Sequence, residues 1–149
     1  MSAVDIHVDT REIERAIGEI GNRVSQVALP IIGATLSTAI DELIQSEGKA
    51  GTDGPWDPFS PTTYKLHPRR SGGKLLQDTG LLASMQIEEG PDWVEVGSHA
   101  PYAGYHVKGT TKNAIPGMGP MPARNYLAVD LDRVLEDAVD QIVEEAVKR

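Results

Sequence analysis

The sequence has 149 residues, of which 40% are hydrophobic, 24% charged and 5% aromatic. This is the balance of a single globular domain, 1–149, and it excludes wholesale disorder and fibrous repeats. The absence of cysteine excludes disulfides, thiolate metal centres and a Cys nucleophile. The 14 Lys and Arg against 22 Asp and Glu give a net charge of −8, which disfavours nucleic acid as the main partner because phosphate contact needs a basic excess.

Residues 1–9 carry acids and no long apolar run, unlike a signal peptide. No apolar stretch approaches the roughly 20 residues of a bilayer span, so a soluble protein without a membrane partner is expected. Val4, Ile6 and Val8 alternate with Asp5, His7 and Asp9, which predicts a short strand with one buried face. Thr10 is a candidate N-cap for the helix that follows. Ile13, Ile17, Ile20, Val24 and Val27 recur at helical spacing, and Ile32, Leu36, Ala39, Leu43 and Ile44 make a second stripe. With Pro30 suited to a first turn, two helices are expected, over about 11–28 and 30–47, the second stopped by Gly48 and Gly51.

Residues 48–74 show no apolar period and are crowded with Gly and Pro. They read as a long loop carrying Trp56, Phe59 and Tyr64. Lys49, Lys65, Arg69, Arg70 and Lys74 make it the locally positive stretch of an acidic chain. Residues 81–98 read as a hairpin turning at Gly90-Pro91-Asp92. Residues 99–121 read as a second irregular loop, and Tyr126, Leu127 and Val129 as a possible short strand. A last helix is capped by Asp130 or Asp132, with a stripe of Leu131, Leu135, Ala138, Ile142 and Ala146 widened by Val134, Val139 and Val143. The fold class is α+β: about three helices on a small antiparallel sheet, with two long Gly/Pro-rich loops.

Candidate chemistry is sparse. Asp78-Thr79-Gly80 spells the aspartic-protease triplet, but Gln77 precedes it where an apolar strand should stand, and a turn is the simpler reading. His7, His67, His99 and His106 lack metal-ligand spacing, no G-x-S-x-G elbow occurs, and no phosphate loop is present. No catalytic residue, metal or cofactor is expected. Arg69, Arg70 and Lys74 with Tyr64 and Trp56 are the residue types that contact phosphate and stack on bases. Charge compensation within the chain or between subunits is the preferred reading, and the acids of the last helix could meet a neighbour's basic loop.

Several motifs then stand in order: Gly54-Pro55-Trp56 and Pro58, Leu75-Leu76-Gln77-Asp78-Thr79-Gly80 with Leu82 and Ser84, and Val96-Gly97-Ser98. Tyr102-Ala103 with His106 and Gly109 follows, and Pro122-Ala123-Arg124-Asn125-Tyr126-Leu127 comes last. This set resembles the phage virion morphogenesis and tail completion family, including its Mu-like group, from about residue 10 to the end. Asn125 and Tyr126 stand where the family tends to have Pro and Phe. The resemblance implies a non-enzymatic virion component of a tailed phage or prophage, acting in tail completion or at the head–tail neck. It also implies a ring-forming homo-oligomer whose neighbours are other tail or neck proteins. The partner-binding candidates are Trp56 and Phe59 as aromatic anchors, Tyr64, Arg69 and Arg70 on the basic loop, Tyr102 and His106 fixing the second loop, and Arg124 as a clamp on carbonyls or a carboxylate.

Overall fold

A computed structural model describes residues 11–77, 80–112, 114–116 and 119–148. The predicted strand at 4–8, the Thr10 cap and Asp78 lie outside the described residues. The chain runs α1 (Arg11–Gln45), α2 (Pro61–Leu66), β1 (Met85–Glu89), β2 (Val94–Ser98), α3 (Ala103–Lys108) and α4 (Leu131–Val147). It is an α+β fold with a two-stranded antiparallel sheet, in which Met85 pairs with Ser98 and Glu89 with Val94.

The two helices expected around Pro30 are one helix of 35 residues with Pro30 inside it. A proline here removes one N–H bond and costs about 3 kcal/mol in a free helix. Pro30 lines a groove with Gln141, Glu144 and Glu145 of α4, and the packing of α4 along α1 supports the continuous helix on both sides of the proline. By length and composition α1 could cross a bilayer, contrary to the expectation from the sequence. Only 22% of its apolar window is buried within the fold, and Ile40, Leu43 and Ile44 near its end are the most deeply buried large side chains, at 0–1% exposure.

The expected Gly48 takes part in ending α1. Gly48 N–H donates to the Leu43 carbonyl and Glu47 N–H to that of Ile44, the paired bonds of a Schellman cap. Two left-handed residues stand here in succession, Glu47 at φ 54° and then Gly48 at φ 91°. The Glu47 carboxylate accepts the Leu75 N–H at 2.8 Å and its carbonyl accepts the Trp56 N–H, so Glu47 ties both ends of the first loop to the helix. That is a reason for a non-glycine residue to occupy a strained position.

Asp130 caps α4 by accepting the Arg133 N–H. Helix α4 lies antiparallel on α1: Gln141 reaches Thr35 at 3.4 Å, and the Arg23 guanidinium donates to the Ala146 carbonyl at 3.4 Å. The buried row is Val134, Ala138, Ile142 and Ala146. The other half of the expected stripe does not join the core. Leu131, Leu135, Val139, Val143 and Val147 are exposed, because they sit one row around the helix from the α1 contact. Ile17 and Ile20 are also exposed, since α4 ends beside Arg23 and covers nothing further towards the start of α1.

The hairpin packs on α1 at Gly33, where an added Cβ would lie 2.9 Å from Val94 and 3.0 Å from Ile87. The predicted strand at Tyr126–Val129 is absent: Tyr126 and Ala128 are buried, but the segment is a turn stitched to Thr52 through the Ala128 carbonyl. Both long loops contain order that was not expected. Ser60 caps α2, with Pro61 at its first position, and Thr110 bridges to Met121 to close the second loop.

Candidate functional site

The two loops meet at Arg124. This residue is 5% exposed, and its Nε donates to the Asp57 carbonyl at 2.9 Å and its Nη2 to the Pro58 carbonyl at 3.1 Å. Its own N–H donates to the His106 carbonyl at 2.7 Å. One side chain thus pins the first loop to the second, by charge-assisted bonds that a planar guanidinium can make in parallel. Of the carbonyls or carboxylate expected for Arg124, the side chain holds two carbonyls of its own chain.

Phe59 lies over this clamp. Its ring centroid is 5.5 Å from the Arg124 guanidinium carbon and 5.9 Å from that of Arg70, both within cation–π range. Tyr64 meets the same ring edge-on at 5.9 Å. Across from it, Tyr102 and His106 form a second edge-on pair at 5.9 Å. Tyr102 stands at the N-cap of α3 and His106 within it, so positions 102, 105 and 106 fall close together at helical spacing. Gly109 bends the chain away after α3 at φ 70°, where an added Cβ would lie 2.8 Å from the Met121 carbonyl oxygen and the Ala123 nitrogen.

These elements enclose a cavity of about 480 Å³. Phe59, Leu76, Leu82, Tyr102, Ile115 and Met121 supply its apolar wall; Arg70, Tyr105 and His106 supply its polar points. Among the described residues no carboxylate lines it. Burial first, and then the nearby positive charges of Arg124 and Arg70, hold the His106 imidazole below its usual pKa of 6.5. His106 Nδ1 is buried and has no partner among the described residues. The cavity can therefore receive an apolar or aromatic group and a neighbouring anion.

Of the residues singled out from sequence, Phe59, Arg70, Tyr102 and His106 line this cavity, and Tyr64 and Arg124 meet the Phe59 ring. Arg69 stands on the 68–70 turn outside its lining. Trp56 does not serve as a surface anchor: it is buried against the end of α1, where an added Cβ on Gly48 would lie 2.6 Å from its ring. Leu76, Leu82, Tyr105, Ile115 and Met121 were not expected in the site; only Tyr105 carried a signal, its spacing from Tyr102 and His106. Among the described residues, no three His, Asp or Glu converge as a metal-holding group.

Comparison with known proteins gives a consistent picture. Residues 8–148 match the model of the phage virion morphogenesis family. A protein of Escherichia phage Mu described as capsid assembly protein G is 25% identical over 152 residues, covering 98% of this chain and 97% of that protein. No solved structure gives a significant match.

Proposed function

We propose that this chain, which belongs to the phage virion morphogenesis family, is a structural part of a tailed phage or prophage that completes the tail or joins it to the head. It works through contacts with copies of itself in a ring and with other tail or neck proteins, and turns over no substrate. The observation that carries this reading is the family match along nearly the whole chain, 8–148. The Mu relative, whose description is capsid assembly, points the same way.

The site chemistry supports binding rather than turnover. The Arg124 clamp spends its donors on backbone carbonyls, and the cavity wall is mostly apolar. Aromatic and Arg groups in a concave site are what protein interfaces use as anchors. Deletion of the gene from its phage, followed by electron microscopy of the lysate, tests the function. Unjoined heads and tails are the expected outcome; a normal yield of infectious particles would refute it.

A further inference from the structure

Charge in this chain is sharply segregated. Residues 59–84 and 99–124, the segments that build the cavity, hold seven Lys and Arg against one acid, Asp78. The remainder of the chain holds the other seven Lys and Arg against 21 acids. Among the described residues Asp57 acts by charge on Arg124, while Lys65, Lys108 and Lys112 make no ion pair, and of the acids on α4 only Glu144 and Glu145 do, both with Lys148.

Helix α4 presents two parallel rows outward. Leu135, Val139 and Val143 form an apolar row, each about half exposed, and Glu136, Asp140 and Glu144 form an acidic row one position further round. The cavity face offers the complement: Arg70 stands among its apolar walls, and the helices beside it carry Lys65, next to Tyr64 on α2, and Lys108, on α3 with Tyr105. No α4 residue lines the cavity, so a chain does not fill its cavity with its own α4.

Two copies meeting α4 to α4 would bring like-charged rows together, which is unfavourable. A contact between unlike surfaces has no such penalty, and repeated it generates a ring or a filament. From these complementary faces, and resting on the assembly reading above, we infer that copies associate head to tail: the apolar and acidic rows of α4 on one copy dock on the cation-rimmed cavity face of the next.

Because the chain has no native cysteine, introduced thiols report this contact directly. The full-length Tyr105→Cys/Val139→Cys variant, mildly oxidised at low ionic strength, is expected to give a disulfide ladder extending beyond the dimer. Each single variant is expected to stay unlinked. Dimers from Val139→Cys alone, or a double variant no more linked than the singles, would overturn the contact.

Charge reversal gives a second readout in sedimentation. Glu136→Lys/Asp140→Lys and Lys65→Glu/Lys108→Glu, each still folded by circular dichroism, should each weaken self-association at least tenfold, and mixing the two should restore it. A wild-type chain that stays monomeric at every concentration and salt level, or reversed variants that associate like wild type, would refute it. Phage that needs the protein for joined particles, while neither purified chain nor lysate yields the ladder, would sink this contact and leave the assembly role standing. Particles that form without the protein would sink the role and leave the ladder to be judged alone.

Discussion

Arg124 is a buried cation whose counter-groups are carbonyl oxygens, so its replacement leaves those acceptors buried and unbonded. Arg124→Ala is expected to lower stability by about 3 kcal/mol, and Arg124→Lys to recover only part of that, since an ammonium cannot span both carbonyls. Urea denaturation with an unchanged slope measures both. His106 gives a pH signature. Its folded-state pKa lies below 6.5, so as pH falls from that value the unfolded chain takes up a proton that the folded chain resists. Stability should be highest above about pH 6.5 and decline as pH falls through the folded value, then level off. His106→Gln should remove this component of the melting temperature between pH 7.5 and 5.5. The role of Arg124 was legible in outline, because five fixed donors suit carbonyls. Which carbonyls it holds was not, since Asp57 and Pro58 are 67 and 66 residues away in sequence. Nothing local announces the unbonded Nδ1 of His106.

At the scale of elements, two glycines of α1 should respond in opposite directions to the same change. Gly21 has nothing within 4 Å of an added Cβ, so Gly21→Ala should stabilise the helix by about 0.5–1 kcal/mol. Gly33 lies under Val94 and Ile87 at 2.9 and 3.0 Å, so Gly33→Val should lift the hairpin and destabilise the fold despite better backbone propensity. Thermal melts of the two variants, with the chemical shifts of Val94 as a local probe, check the contrast. Helical and hairpin periods were readable because they are local. The outcome at Pro30 was not, because it depends on α4 packing across the break from more than 100 residues downstream. The exposed half of the α4 stripe escaped for a related reason: apolar spacing marks every face that something covers, including faces covered by another molecule. The short helices α2 and α3 were legible in principle, through the Ser60-Pro61 start and the Tyr102/Tyr105/His106 spacing, but glycine and proline content around them masked the signal.

For the molecule as a whole, the acidic row of α4 sets like charges four residues apart along one helix, which costs a few tenths of a kcal/mol per pair. Glu136→Gln/Asp140→Asn should therefore leave the monomer slightly more stable while weakening self-association. Melting at dilute concentration and sedimentation at high concentration would separate the two effects. Added salt should act in the same two directions, because it screens both the repulsion within a copy and the attraction between copies. This separation of a basic loop from acidic helices was visible in sequence as composition. Its arrangement as two complementary surfaces required the fold.

Helix α1, at roughly 1.5 Å per residue, is about 52 Å long, while α4 extends only about 25 Å alongside it. Among the described residues, its first three turns, before Arg23, therefore have no neighbouring helix to share their fate. Amide protons there should exchange with solvent orders of magnitude faster than those of Ile40, Leu43 and Ile44, whose release requires the whole core to open. Trypsin should trim at Arg11 and Arg15 and leave a folded remainder. A neighbour that sheathed this stretch would register as slowed exchange and resistance to cleavage along one third of a single helix.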